Sequence, residues 1–407
     1  MKKAESIPRG VWALGFVSMF MDVSSEVIHS LLPIFLLSVL QTSVTAIGFL
    51  EGIAEGAVLV TKMFSGTLSD WLGKRKGLAL LGYGMAAVTK PLFAIAGSYA
   101  MVFAARLLDR VGKGIRGAPR DAMIADLVPQ ELRGASYGLR QTLDTVGALT
   151  GPLLATVLML ATGGNFRLVF WVAVVPAIVS VAILAQFVDE PLQTAPGKEH
   201  VAMRWSQLGE FSAAFWSILV VGSIFTLARF SEAFLVLRAS DVGIAEVYLP
   251  MTMAAMYTTY TVFAYPAGWL SDRLDRHVVV AIGAAVLMSA DLVLARISGV
   301  VGLFAGIGLW GLHMGLTQGV FAALVADASP AHLRGTAFGL FNLAGGIALL
   351  VASLVAGRVW DNVGPAATFY VGAAFAAVAL IGLLLQRPSN FDTKSQRSNL
   401  TLVSRQK

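Results

Sequence analysis

Ala125–Leu139, ADLVPQELRGASYGL, returns 201 residues later as Ala326–Leu340, ADASPAHLRGTAFGL. A second stretch, Gly66–Lys76 (GTLSDWLGKRK), returns as Gly268–Val278 (GWLSDRLDRHV) at an offset of 202. Chance produces one such match readily. Two in the same order, at nearly the same offset, describe a duplicated unit arranged as parallel repeats. The units are strongly apolar: 57% of the 407 residues are hydrophobic, 13% are charged and the mean hydropathy is +0.74. With repeated apolar runs of about twenty residues, this is the composition of a polytopic membrane protein.

Apolar periodicity places twelve helices at 11–39, 46–69, 77–97, 99–121, 135–162, 166–188, 211–237, 246–271, 277–297, 299–325, 335–360 and 365–387. The fold class is therefore all-α, two pseudo-symmetric bundles of six spans. Residues 189–210, DEPLQTAPGKEHVAMRWSQLGE, are the one long polar connection. They divide the chain into an amino-terminal bundle (1–188), a linker (189–210), a carboxyl-terminal bundle (211–387) and a tail (388–407). Basic residues gather in alternate connections: Lys74, Arg75 and Lys76; Arg120 and Arg133; Lys198 and Arg204; Arg273 and Arg276; Arg334; and the tail. By the positive-inside bias, both termini and the linker are cytoplasmic. The same bias accounts for the formal charge of +6 without a nucleic-acid partner. Lys2, Lys3 and Arg9 before an apolar run resemble the start of a signal peptide, but the run is too long and lacks a small-residue cleavage site, so the first span is retained. The absence of cysteine excludes disulfides, thiolate metal sites and cysteine nucleophiles.

Met101–Asp121, MVFAARLLDRVGKGIRGAPRD, is the anomaly in this composition. At the helical period, Arg106, Asp109, Arg110, Lys113, Arg116, Arg120 and Asp121 fall within an arc of about 140°. Each lipid-exposed charge costs at least ~2.5 kcal/mol, so this face turns toward protein or a water-filled cavity. Acids on other helices are available to meet it: Asp22 and Glu26, with His29, on the first; Glu51 and Glu55 on the second; Asp144, with Arg140, on the fifth. A carboxylate at the depth of Asp22 exchanges a proton near neutral pH unless a cation holds it ionised. Two readings follow from the residues: a titratable network that links proton occupancy to substrate binding, or a closed ionic core that only holds the bundle together. Desolvation argues against the second, because buried ion pairs rarely add net stability over apolar packing. The carboxyl half is poorer in ions, with Tyr257, Tyr260 and His313 as candidate substrate contacts.

Over its whole length the chain resembles a major facilitator superfamily transporter. Gly66, Asp70, Gly73, Lys74, Arg75 and Lys76 fit the family's signature loop between the second and third helices. The resemblance implies a cytoplasmic gate built from Gly66, Asp70, Gly73, Arg75, Asp126 and Arg133, echoed by Asp272, Asp327 and Arg334. Gly147-Ala-Leu-Thr-Gly151-Pro152 is similar to the Gly-x-x-x-Gly-Pro motif of the family's antiporters; Ala155 and Thr156 stand where a paired glycine usually follows. Arg106 falls where the family often has a fourth-helix arginine, with Arg110 and Lys113 in place of small residues. The opening Phe20-Met-Asp-Val-Ser-Ser-Glu26 is similar to that of poorly characterised bacterial members loosely labelled as drug or siderophore transporters.

Other chemistry is absent from the pattern. Gly112, Gly114 and Gly117 spell G-x-G-x-x-G, but no strand precedes them, and neither a phosphate-binding loop nor a nucleophile elbow occurs. The expectation is therefore not an enzyme but a cofactor-free, monomeric secondary transporter of the bacterial inner membrane. It exports a small anionic or zwitterionic compound in exchange for protons, with Asp22, Glu26, Glu55 and Asp144 carrying protons. Arg106, Arg110, Lys113, Arg116 and Arg140 bind substrate with Tyr257, Tyr260 and His313. A proton-coupled importer of an anionic metabolite or siderophore is the alternative on the same fold; a non-transporting receptor or scaffold is the alternative of another class.

Overall fold

The computed structural model describes residues 7–72, 74–190, 205–271, 273–330 and 333–385. Among these, every regular element is helical. The first half comprises α1 (Arg9–His29), α2 (Leu32–Ile34), which runs into a π-helical turn at Phe35–Val39, α3 (Val44–Leu72), α4 (Arg75–Ile95), α5 (Tyr99–Leu127), α6 (Arg133–Ala161) and α7 (Phe166–Phe187). The second comprises α8 (Ala213–Ala228), α9 (Ala233–Asp241), α10 (Pro250–Ser271), α11 (Arg276–Arg296), α12 (Val300–Asp327), α13 (Arg334–Asn362) and α14 (Pro365–Leu385). Among the described residues, ten helical spans are long and apolar enough to cross a membrane, counting α1 through the π-helical turn as one and α8–α9 as another. The two long helices outside that set are α5, which carries the charged face, and α10, which is rich in Thr and Tyr. Both are packed among the ten, α5 against α3 and α4, and α10 against α6 and α12. Most of the linker (191–204) and the tail lie outside the described residues.

The first and seventh spans are not the continuous helices that periodicity suggests. In the first, Pro33 removes a backbone donor and its ring crowds the preceding turn, so α1 ends at His29 and the chain restarts at Leu32. In the seventh, α8 ends before Arg229 and α9 begins at Ala233. The backbone N–H groups freed there find side-chain oxygens: Ser231 N–H donates to Ser353 Oγ at 3.2 Å and Ala233 N–H to Ser231 Oγ at 3.3 Å. Such replacement partners are what allow a helix to break at membrane depth. The two breaks occupy equivalent places in the repeats, and α2 packs against α9 across the interface.

The halves otherwise meet through α3 with α13 and α6 with α10. These are the same pair of positions exchanged between repeats, as an approximate two-fold requires. At the end remote from the linker the seal is tight. Asp361 on α13 accepts from Val44 N (3.2 Å), Thr45 N (2.8 Å) and Thr45 Oγ1 (2.6 Å), placing a carboxylate at the N-terminus of α3 where the helix dipole favours it. Gly48, Gly52 and Gly56 then lie against Ser353, Leu350 and Gly346. At the linker end, a cavity of about 360 Å³ opens beside α10 and α12, lined by Tyr260, Ala264, Ser271, Met314 and Gln318. The halves are thus sealed together at the far end, and the linker-end cavity lies in the wall of the second half.

Within the first half, Gly147 and Gly151 seat α6 on α1. A Cβ on Gly147 would lie 2.6 Å from Met19 O, and one on Gly151 2.6 Å from Glu26 Cβ and 3.0 Å from Val23 O. The motif therefore brings α6 onto the turns of α1 that carry Asp22 and Glu26. Gly151→Ala is expected to destabilise the protein by about 1–3 kcal/mol through overpacking against atoms that cannot rotate away, seen as a lowered thermal midpoint in detergent; an unchanged midpoint would show that α1 and α6 are not in this contact.

Candidate functional site

The charged helix α5 starts at a Ser98 cap, whose side chain accepts from Met101 N at 3.4 Å. Much of it is enclosed by neighbouring helices. Val102 and Ala105 are buried on the apolar side, and Arg106, Asp109, Arg110 and Arg116 are buried too. Glycine makes the enclosure possible: a Cβ on Gly112 would lie 2.7 Å from Gly82 O of α4, and one on Gly114 2.6 Å from Thr61 Cβ of α3. The G-x-G-x-x-G spacing is a packing surface for two neighbouring helices.

Toward the far end, the ions form a continuous chain. Lys90 Nζ pairs with Asp109 Oδ1 at 2.9 Å and donates to Ser25 Oγ at 3.0 Å. Arg110 holds Asp109 Oδ2 at 3.1 Å and Glu55 Oε1 at 3.3 Å. Arg106 Nη2 lies 2.7 Å from Glu51 Oε2 and 3.7 Å from Glu55 Oε1. His29 stands between Glu51 (3.6 Å) and Glu26 (3.5 Å), at ion-pair rather than hydrogen-bond distance. Tyr257 Oη, from α10 in the other half, lies 3.3 Å from Glu26 Oε2 and 3.3 Å from Glu232 Oε2.

A second cluster lies toward the linker end. Arg140 pairs with Asp144 at 2.7 Å and approaches Asp121 at 3.8 Å, while Arg120 pairs with Asp121 at 3.1 Å and approaches Asp144 at 3.9 Å. Arg120 also donates to Ser18, whose hydroxyl is 3.3 Å from Tyr83 Oη. Arg116 places its guanidinium 4.6 Å from the centre of the Tyr83 ring, a cation–π contact.

Two charges stand between the clusters without a contact partner among the described residues: Asp22, half-buried on α1, and Lys113, exposed on α5. Lys113 is within electrostatic reach of Asp22, Glu26 and Glu55. From the second half, Arg229, Glu232, Tyr257 and Tyr260 are partly accessible at the same level of the interface. Arg229, like Lys113, has no carboxylate at ion-pair distance among the described residues.

Several expected contacts are placed otherwise. Arg106 and Arg110 are held by carboxylates, with side chains only 2% and 3% exposed, so in this state neither offers a free guanidinium to a substrate. His313 does not reach the cavity, because Phe225 and Trp310 cover it with ring centroids 6.2 and 5.3 Å away. The carboxyl half, poorer in ions, still buries polar groups. Asp291 is wholly buried with no hydrogen-bond partner for its carboxylate oxygens among the described residues, and Arg238 pairs with Asp241.

At the linker end, Arg75 pairs with Asp126, and Arg276 pairs with Asp327. Both partners of the second pair stand 201 residues after those of the first, so the sequence repeat returns as a repeated ion pair tying α4 to α5 and α11 to α12. Arg133 and Arg334 are exposed at the starts of α6 and α13. Gly73 and Asp272 lie outside the described residues, as do the surroundings of Gly66 and the side chain of Asp70.

The profile of the Major Facilitator Superfamily matches residues 13–250 and 214–405. The chain belongs to the Major Facilitator Superfamily. An uncharacterized MFS-type transporter of Methanocaldococcus jannaschii is 32% identical over 387 residues, covering 93% of this chain and 94% of its own length. The cis,cis-muconate transport protein of Acinetobacter baylyi is 23% identical over 389 residues, covering 90% of each. A crystal structure of the peptide transporter POT in complex with sulfate shares the fold, with a TM-score of 0.77 at 14% identity over 93% of both chains. The protein is thus a multi-pass membrane transporter of the MFS type and not an enzyme.

Within that family assignment, three residues of this site were not singled out by the sequence reading as functional: Lys90, Arg276 and the pair-forming role of Glu232. Arg276 had a signal: in the repeated stretch it stands opposite Lys74, next to Arg75. Lys90 lay in a helix read as apolar, and Glu232 lay in a span read as unbroken. The pairing geometry has a direct consequence. Glu51→Leu leaves Arg106 buried without its nearest counter-charge and is expected to cost about 3–5 kcal/mol, whereas Glu51→Leu with Arg106→Met recovers most of it. Thermal midpoints of the three proteins in detergent check this; equal losses in the single and double variants would show that the pair is not coupled.

Proposed function

We propose that the protein is a proton-coupled exporter of a small anionic or zwitterionic compound, working by alternating access between its two six-helix halves. One observation carries this reading: among the described residues Asp22 and Lys113 have neither an ion pair nor a hydrogen bond, and they stand between two ion clusters whose carboxylates are already paired. An acid and a base left unmatched are available to a proton and to a charged substrate. Arg229 contributes a second available cation from the other half. Tyr257 and Tyr260 supply aromatic surface and hydroxyl groups on the same wall. Asp144 and Arg140 set the field beneath Asp22, and Arg106 and Arg110 fix the positions of the acids around them, while Arg116 is held over the Tyr83 ring.

Export is supported by the likeness of Gly147–Pro152 to the Gly-x-x-x-Gly-Pro motif of the family's antiporters, whose glycines here press α6 onto the turns of α1 that carry Asp22 and Glu26. A proton and the ammonium group of a zwitterionic substrate compete for the Asp22 carboxylate while Lys113 holds the substrate's anionic group. Protonation of Asp22 then releases the substrate, which is the negative coupling that exchange requires. The proton gradient supplies the energy, and no cofactor is needed. The bacterial inner membrane, with both termini and the linker cytoplasmic, is the setting that fits the distribution of basic loops.

The test uses proteoliposomes containing a trapped pH dye and a panel of organic anions and zwitterions, including cis,cis-muconate and dipeptides. The parent protein is expected to exchange protons for one class of these compounds, faster under an opposed gradient than under a parallel one. Asp22→Asn and Lys113→Ala are each expected to reduce that flux about tenfold or more, in line with the roughly 1.5–3 kcal/mol of a charge-assisted hydrogen bond. Undiminished flux in both variants would remove this mechanism, and faster transport under a parallel gradient would make the protein an importer.

A further inference from the structure

Tyr257 is the point at which the ion chain crosses from one half of the molecule to the other. Its hydroxyl lies 3.3 Å from a carboxylate oxygen of Glu26 on α1 and 3.3 Å from one of Glu232, at the break between α8 and α9. A phenol has one hydrogen to donate and lone pairs to accept. It satisfies one carboxylate by donating; a second ionised carboxylate at the same distance meets the phenol's lone pairs and a like charge less than two hydrogen-bond lengths away. The arrangement is complete only when one of the two carboxyl groups carries a proton and donates it to the phenol oxygen.

The surroundings choose which one. Glu26 faces His29 on its own helix, and Arg110 and Lys113 on α5. Glu232 faces Arg229 on its own span and His29 on α1, but also the acids Glu26 and Glu55. Tyr257 itself is faced by Glu232, Glu26 and Glu55. The more cationic side keeps Glu26 ionised, so the hydrogen bonds run from Glu232 to Tyr257 and from Tyr257 to Glu26.

We infer that Glu232, Tyr257 and Glu26 form a proton-dependent clasp between the two halves, with Glu232 as the proton-binding group that holds the far end closed. Loss of that proton leaves one hydrogen for two carboxylates. Glu232 then turns to Arg229, three residues before it, and Tyr257 stays with Glu26 or leaves it. The tie between α1 and the second half is lost next to the α2–α9 contact, and the far end opens. This inference rests on the transporter reading for its purpose but not for its measurement.

The chain contains no cysteine, so paired spin labels can be placed without removing any native thiol. Ser43→Cys with Val363→Cys reports the far end, and Leu68→Cys with Gly335→Cys the linker end; all four positions are exposed. Distances are measured in lipid nanodiscs, without substrate, from mildly acidic to mildly alkaline pH. In the otherwise native protein the far-end distance is expected to lengthen and the linker-end distance to shorten as pH rises. Glu232→Gln, which keeps a donor at every pH, is expected to hold the far end short throughout. Tyr257→Phe is expected to populate the long far-end distance already at acidic pH, and it reads the same contact should Glu232→Gln fail to fold. A far end that does not respond to pH in the native background, or a Glu232→Gln protein that follows pH as its parent does, overturns the clasp. Neither result bears on proton-coupled flux in proteoliposomes, and failure of that flux leaves the pH-dependent distances to be read on their own.

Discussion

The structure depends on one constraint: a charge removed from water must be met by another charge or by a dipole, at a distance short enough to repay its desolvation. Helix α5 places five cations and two acids along one side of a span. Around it, Glu51, Glu55, Lys90, Asp144 and Arg140 arrive from α3, α4 and α6 at distances of 2.7 to 3.9 Å. The glycines of α5 and α6 let those helices approach closely enough for such distances to be reached. Packing and electrostatics are one requirement here, since a methyl group at Gly114 or Gly151 would displace the backbone that carries the opposing charge.

Matching is nearly complete at the two ends of this ladder and incomplete in its middle. The far-end cluster and the linker-end cluster satisfy their own members, and Asp22 and Lys113 remain between them. A site that must exchange its partner needs this property: a cation matched permanently by protein has no affinity left for a substrate. The gap also lies on the wall facing the second half, where Arg229, Tyr257 and Tyr260 meet it.

The two halves share a plan and differ in use. Both carry the short ion pair between equivalent helices, Arg75 with Asp126 and Arg276 with Asp327, and both break their first span. Their interface pairs α3 with α13 and α6 with α10, so the same repeat surfaces are used twice. The chain of buried ions, however, runs mainly through the first half. The second half instead contains an aromatic core around Phe230, Trp310 and Phe369, into which Asp291 and His313 are sealed. In the alternating-access reading proposed above, rocking one half against the other moves a largely apolar body past a charged one, and the polar bond from Tyr257 to Glu26 is among the contacts that must be remade.

Much of this was legible in one dimension. The duplication, the number of spans and the amphipathic charge of α5 follow from spacing and hydropathy, which are local properties that survive without knowledge of the fold. The family resemblance of Gly66–Lys76 was equally local, and the profile match over most of the chain agrees with it. Which cation meets which acid was not legible. Arg106 and Lys113 lie on the same helical face in sequence, yet one is sealed against Glu51 and the other is free, because that depends on where α3 and α4 press on α5. The breaks at Ser30–Leu31 and at Arg229–Glu232 also escaped periodicity, since a break at depth is permitted by oxygens elsewhere, such as Ser353 Oγ from 122 residues away. The sequence by itself determined the span pattern and the inventory of charges. Only the tertiary structure decided which charges are neutralised and which remain available, because pairing at a few ångströms is set by helix contact rather than by order along the chain.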